Sequence, residues 1–364
     1  MIVAGIMSGT SLDGIDVAII DIRGRRWRVL EFRTTPYPRA VREAILAVSN
    51  ANTHTSAIAR LHFLLGELYA DAVAGFPGVE LVGCHGQTIF HESTRAKVAG
   101  RRVRSTLQIG EASIIAERLG VPVVSDFRPR DIAAGGTGAP LVPFVDYFLY
   151  RHPRRNRVAL NIGGIANITW IPAGAKPDEV TAFDTGPGNM VIDALAEIIT
   201  GGRRKFDRNG ALARRGHVRW ELIENLMEDR FYRRTPPKSA GREQFGAEFV
   251  GRLRASRLPL IDLMATAAAL TAATISFGIR RFGGPADDLI ASGGGVHNPA
   301  IMAYLAAFLP GVRIQTSADY GLDPDAKEAV AFAVLAYQTW RRRVSSLPSA
   351  TGARHPVILG KVIY

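Results

Sequence analysis

Sulfur chemistry is nearly absent from this chain: Cys84 is the one cysteine in 364 residues. An internal disulfide framework is thereby excluded, and a reducing compartment is the natural setting. Aromatic residues are also scarce, at 8%, and no interleaved platform for stacking bases accompanies the basic clusters. Acidic residues number 33 against 45 Lys and Arg, a net charge of +12. The excess sits in short scattered clusters such as Arg25-Arg26, Arg101-Arg102 and Arg203-Arg204-Lys205. A solvated surface that attracts anionic ligands fits this pattern better than a nucleic-acid stripe. No basic stretch precedes the apolar opening Met1-Ile2-Val3-Ala4-Gly5, and Ser8, Thr10 and Asp13 soon interrupt it, so a first strand is expected there and not an export signal. Long apolar runs are few. The longest, 260–278, contains Asp262 and several threonines, which predicts an Ala-rich buried helix and no membrane span.

Several sites of known chemistry are missing too. There is no G-x-x-x-x-G-K-[ST] phosphate loop. Gly136-Thr137-Gly138-Ala139-Pro140 lacks the third glycine of a dinucleotide fingerprint. His85 and His91 have no third ligand at zinc-like spacing. Cys84 and His85 are neighbours on an expected strand and point to opposite faces, which argues against a Cys–His hydrolase.

What the chain does have is a repeated pattern. Its length predicts two lobes, 1–150 and 151–364, with the charged stretch Arg151-His152-Pro153-Arg154-Arg155-Asn156 at the boundary and a terminal segment able to pack back on the first lobe. Strands are expected at 2–6, 15–20 and 27–32 and again at 158–162, 167–171 and 180–183. Ile58, Leu61, Leu65, Leu68 and Ala72 recur at helical spacing. Further strands are expected at 79–83, 121–125 and 288–292, and helices at 111–119, 190–199, 220–227, 248–254, 261–280 and 326–341. Alternating strands and helices make this an α/β chain. Segments 201–216 and 233–246, rich in Gly, Pro and charge, are expected to be exposed and mobile. Arg128 falls in an expected loop.

Three glycine turns each follow an apolar strand: Ser8-Gly9-Thr10-Ser11-Leu12-Asp13-Gly14, Asn161-Ile162-Gly163-Gly164-Ile165-Ala166-Asn167 and Ser292-Gly293-Gly294-Gly295-Val296-His297-Asn298. Glycine lets backbone amides converge on anionic oxygens. One such turn is punctuation; three favour a nucleotide. A hairpin carrying Gly, Thr, Ser and Asp, echoed in the second half, resembles the actin-like ATPases. The expected fold is thus the two-lobed actin-like (RNase H-like) kinase fold, with the nucleotide in the interlobe cleft.

The run Ile6-Met7-Ser8-Gly9-Thr10-Ser11-Leu12-Asp13-Gly14-Ile15-Asp16 resembles the opening of the anhydro-N-acetylmuramic acid kinases. The similarity continues through Cys84-His85-Gly86-Gln87-Thr88, Asp126-Phe127-Arg128, Gly135-Gly136-Thr137-Gly138-Ala139-Pro140, Asn161–Asn167, Asp184-Thr185-Gly186-Pro187-Gly188-Asn189 and Ser292–Asn298. The resemblance implies hydrolytic opening of a 1,6-anhydrosugar with phosphorylation of O6 by ATP, in recycling of the peptidoglycan cell wall. It also implies magnesium, a cytoplasmic location and a homodimer, with neither nucleic acid nor membrane as partner. A kinase for another anhydrosugar such as levoglucosan, and an actin-like ATPase switch without sugar chemistry, are the alternatives.

On this reading Asp184, at the edge of a strand before a Gly-Pro-Gly turn, takes a proton from the attacking water; its bland alternative is a turn aspartate. Gly9, Thr10, Ser11, Leu12, Asp13, Gly14, Ile15 and Asp16 hold the β- and γ-phosphates. Asp13 or Asp16 orients magnesium through water, with Asp13 equally readable as a turn former. Gly163, Gly164 and Asn167 form the opposing clasp, and Gly293, Gly294 and Gly295 make room for adenosine, while Asn298 caps the next helix. Arg128 or Arg130 is placed to pair with the substrate carboxylate, or is merely an exposed arginine. Gln87, Asp131 and Glu328 are candidates for sugar hydroxyls or for support of the site, and Glu328 also suits the first turn of a helix.

Overall fold

Seven uncharged residues, Ile2–Ser8, form β1, and β2 (Gly14–Arg23) returns antiparallel beside it with Met7 opposite Asp16. In this computed structural model, residues 1–364 are described apart from Thr10, Ser11, Asp13 and Arg25. The chain divides into two units, Met1–Phe148 with Ala326–Tyr364, and Leu149–Asp325.

The first unit continues with β3 (Arg26–Pro36), α1 (Arg39–Val48) and α2 (Thr55–Ala74), whose Leu61, Leu65, Tyr69 and Val73 are buried. Next come β4 (Leu81–Val98), β5 (Arg101–Ile109), α3 (Ala112–Leu119), β6 (Val123–Ser125), α4 (Phe127–Ala133) and α5 (Val142–Tyr150). The fourth strand runs well past the expected end at Gly83, because its continuation pairs antiparallel with β5 from Gln87–Ile109 to Val98–Arg101. Arg128 lies on the short helix α4 and not in a loop.

The second unit repeats the plan. β7 (Arg157–Ile162), β8 (Ile165–Ile171) and β9 (Thr181–Pro187) form a meander, followed by α6 (Asn189–Thr200), α7 (Trp220–Met227), α8 (Arg230–Arg233), α9 (Arg242–Phe245) and α10 (Ala247–Ala255). Then come α11 (Leu260–Gly278), β10 (Asp288–Ser292), α12 (Pro299–Phe308) and β11 (Arg313–Thr316). The chain closes with α13 (Lys327–Trp340), α14 (Pro348–Thr351) and β12 (Lys361–Ile363) in the first unit.

Strand order is β12-β6-β4-β1-β2-β3 in one sheet, with β5 added on β4, and β11-β10-β7-β8-β9 in the other. Without β12 and β5 the two are the same: an antiparallel meander of three strands whose first strand has two parallel neighbours on its other side. This duplicated order is that of the actin-like (RNase H-like) fold.

Close backbone packing explains why α13 belongs to the first sheet. A Cβ on Gly5 would stand 1.9 Å from the Ala329 carbonyl oxygen, and one on Gly83 2.2 Å from that of Phe332. Only glycine on these strands lets the Ala-rich helix lie so near. In the second unit α11 is the interior helix. Leu263, Met264, Leu270 and Ile275 are buried along it, each contributing roughly 1.5–3 kcal/mol. Its threonines use backbone acceptors, Thr271 bonding Gly188 and Ala267 and Thr274 bonding Thr271.

Two segments are largely exposed, as expected, and carry buried anchors that were not expected. Stretch 201–216 holds buried Asp207, Leu212 and Ala213, and 233–246 holds buried Lys238 and Phe245. Their Gly, Pro and charge content reads as exposure, but a few anchors fix each to the core.

Candidate active site

Within the second unit, the polar ends of four strands form one row. Register pairs Ser292 with Asn161, Asn161 with Asn167, and Asn167 with Asp184. Cross-strand partners share a face, so Asn161, Asn167 and Asp184 lie side by side, on the face opposite buried Leu160, Ile168 and Phe183. The glycine turns after β7 and β10 leave the sheet at this same edge, where the strands' carboxyl ends are the usual place for ligands in α/β sheets.

Gly163 and Gly164 make the turn from β7 to β8. The Gly163 carbonyl accepts from Asn189 N–H at 2.7 Å, and that of Gly164 from Gly188 and Met190 at 2.9 and 3.1 Å. Among the described residues their own N–H groups have no acceptor. The position that demands glycine for space is Gly188, where a Cβ would stand 2.2 Å from the Gly163 oxygen. Gly295 likewise packs on Ile162, at 2.2 Å from such a Cβ, whereas Gly294 is exposed.

Asp184 is held by the segment that follows α8. Its N–H donates to the Lys238 carbonyl at 3.0 Å, and its Oδ2 accepts from Ala240 N–H at 2.8 Å. Among the described residues Oδ1 receives no hydrogen bond. Burial pushes the carboxyl up to about 6; the Ala240 N–H and Lys238 oppose this and Glu243 adds to it. A carboxylate poised there is ionised near neutrality and still basic enough to take a proton. Lys238, itself buried, escaped the sequence reading. Nothing in Pro236-Pro237-Lys238 signals a buried cation.

Beside the third glycine turn lies a cavity of about 440 Å³, lined among others by Asn189, Asp193, Asp207, Gly294 and His297. That volume is in the range of small-molecule sites. The Asp207 carboxylate is already engaged, accepting from Leu212 and Ala213 N–H at 2.8 and 3.0 Å. Asp193 lines the cavity, and burial, then Asp207, pushes its carboxyl up to about 7. It was missed too, although Asn189 and Asp193 are one helical turn apart and share a face.

In the first unit the equivalent edge carries Ser8, Asp16, Thr34 and Gln87. Leu12 adopts a left-handed φ of 59° and Gly14 does not; Gly14 is needed because a Cβ would stand 2.4 Å from the Thr35 carbonyl. The Leu12 and Ile15 side chains are buried, so only their backbone can serve a ligand. Thr10, Ser11 and Asp13 lie outside the described residues. Asp16 Oδ1 accepts from Thr34 Oγ1 at 2.6 Å. Gln87 is buried, its Oε1 accepting from Ser8 Oγ at 2.5 Å while Ser8 Oγ lies 2.7 Å from Tyr37 OH. Its side-chain oxygen is thus engaged with the end of β1.

Arg128 is clamped from both sides. Its Nε and Nη2 lie 3.1 and 3.0 Å from His85 Nε2, and Nη1 donates to the Gly138 carbonyl at 2.8 Å. Burial and Arg128 hold His85 well below the usual imidazole range, so the ring is neutral and its Nε2 accepts. One N–H on each terminal nitrogen of Arg128 has no acceptor among the described residues, an edge suited to a carboxylate. Arg130 is exposed. Asp131, expected near substrate, is fully buried: Oδ2 accepts from Gly138 N–H and Oδ1 from Thr351 Oγ1, each at 2.8 Å. Both oxygens brace the loop behind Arg128, so Asp131 supports the site and does not face a ligand. Glu328, in the first turn of α13, reaches solvent, yet the atoms crowded about it push its carboxyl up, opposed by Arg128 and reinforced by Asp16.

The family model described as "Anhydro-N-acetylmuramic acid kinase" matches residues 1–364. Curated proteins of that description are similar over almost their whole length. The one from Caldanaerobacter subterraneus subsp. tengcongensis is 45% identical, covering 99% of this chain and 96% of its own. Those from Salinibacter ruber and Bacillus cereus are 43% and 41% identical, covering 99% and 100% of this chain and 95% and 99% of theirs.

Proposed function

Because the chain belongs to the anhydro-N-acetylmuramic acid kinase family, we propose that it opens 1,6-anhydro-N-acetylmuramic acid with water and phosphorylates the released O6 at the expense of ATP. The observation that carries the chemistry is Asp184: a half-buried carboxylate fixed at a sheet edge, its Oδ1 without a hydrogen bond among the described residues and its carboxyl pushed up to about 6 by burial. Its Oδ1 takes a proton as the water oxygen bonds to C1. The C1–O6 bond breaks, O6 takes the γ-phosphoryl group, and ADP departs. The product is N-acetylmuramic acid 6-phosphate, which serves cell-wall recycling.

The remaining residues bind and orient. Backbone amides of the Gly9–Asp16 turn and of Gly163 and Gly164 take phosphate oxygens, with Asn167 beside Asp184 in register. The cavity next to Gly293–Gly295 takes adenosine, where Asp193 accepts from hydroxyl donors. Arg128 offers its two-pronged edge to the lactyl carboxylate, which separates this substrate from an uncharged anhydrosugar such as levoglucosan. Glu328 lies near Arg128 and accepts from sugar hydroxyls.

Among the described residues no three His, Cys, Asp or Glu gather to hold a metal. A carboxylate beside a phosphate turn suits magnesium, which keeps several waters and binds through one or two carboxylates plus phosphate oxygens; Asp16 or Asp13 would be that carboxylate. The ion supplies charge neutralisation on the transferring group. A homodimer and a cytoplasmic location, where ATP is made, complete the reading, and the dimer rests on the family resemblance alone.

Protein, magnesium ATP and the anhydrosugar in ¹⁸O-water, with products weighed by mass spectrometry, test the reading. One phosphoryl group and one labelled oxygen are expected in the sugar. Addition of phosphate alone sinks it. Asp184→Asn is expected to bind ATP normally and to lose nearly all turnover; retained turnover removes Asp184 from the base role.

A further inference from the structure

Lys238 has no part in the steps above, although it is a buried cation next to the base. Its Nζ donates to the carbonyls of Phe231 and Tyr232 at 3.2 and 2.9 Å. It also lies 4.8, 4.7 and 5.5 Å from the ring centres of Phe231, Phe282 and Phe183. The backbone on either side of it grips Asp184, through the Lys238 carbonyl and the Ala240 N–H. Packing alone would not select this residue. Removing an ammonium from water costs several kcal/mol, and methionine would fill similar space without that cost.

We propose that Lys238 is a positioning residue for Asp184: it pins segment 234–240 against the carboxyl, and its positive charge favours the carboxylate over the carboxylic acid. The inference rests on Asp184 as the base. Lys238 and Glu243 are the charged groups that act on Asp184, in opposite senses, and Arg234 and Asp184 act on Lys238. Burial lowers Lys238 to about 8, so it is still an ammonium ion in the range where Asp184, at about 6, changes its charge. Attraction from a nearby opposite charge favours the ionised form.

The test is a ¹³C NMR titration of aspartate carboxyls in the full chain, with the Asp184 signal assigned by its loss in Asp184→Asn. Lys238→Met is expected to move the Asp184 midpoint up by about one pH unit, and the acid limb of kcat with it. Glu243→Gln, at an exposed side chain, is expected to move it down by less. An unmoved midpoint in a folded Lys238→Met protein overturns the proposal, even if that variant is slow or less stable. Should Lys238→Met not fold, Lys238→Gln decides: an unmoved midpoint there refutes control of the carboxyl by the Lys238 charge. The titration reads the carboxyl directly, so turnover retained by Asp184→Asn defeats the base role without obscuring this result.

Discussion

Asp184→Asn is expected to stabilise the folded chain while it abolishes the reaction. The carboxyl lies at about 6 when folded, against an ordinary 3.8. The folded state therefore binds the proton more tightly than the unfolded one, and stability falls as pH rises from about 3.8 through 6. At 1.36 kcal/mol per unit the full gap is about 3 kcal/mol, and solvent at the partly open side chain reduces this to about 1.5 kcal/mol. Asparagine keeps an oxygen for the Ala240 N–H and never ionises, so it escapes the penalty. For a unit of this size the gain corresponds to about 3–6 °C in Tm. Calorimetric unfolding of both proteins from pH 4 to 8 is the assay. The variant should melt higher at pH 7.5, with the difference vanishing towards pH 4. A difference that ignores pH, or a variant less stable at pH 7.5, refutes the burial argument.

Other substitutions separate structural from functional residues. At Gly163 a Cβ meets Asn161 Nδ2 at an ordinary 3.5 Å, so Gly163→Ala should keep its Tm while raising the KM for ATP about tenfold or more; Gly188→Ala, with its 2.2 Å clash, should lower Tm instead. Arg128→Lys loses the planar fork and should raise the sugar KM at least about tenfold with the ATP KM unchanged; an unchanged sugar KM removes the carboxylate contact. For the wild type, the KM for ATP should fall as pH rises through about 7, where Asp193 ionises. Asp193→Asn should flatten that dependence, and identical profiles would clear Asp193 of nucleotide binding.

Much of this protein was legible in its amino-acid order because the signals are local. An apolar strand followed by a glycine turn needs only a few consecutive residues, and the turn at Gly163 and Gly164 after β7 stands where its spacing implied. Pairing over long separations was not legible. Nothing near Gly83 announces that β4 runs on to meet β5, and the glycines at 5 and 83 acquire their meaning only when α13 arrives against them. Composition announced the exposure of most of 201–216 and 233–246 but not their buried anchors, Asp207 and Lys238 among them. Residue type and spacing marked the candidate phosphate turns, while Asp184 was singled out as candidate base by the family resemblance of the run Asp184-Thr185-Gly186-Pro187-Gly188-Asn189. Tertiary structure alone decided that burial pushes the Asp184 carboxyl up, that Asp131 braces a loop, and that Lys238 is buried beside the candidate base, because burial and electric field depend on atoms brought near from distant parts of the chain.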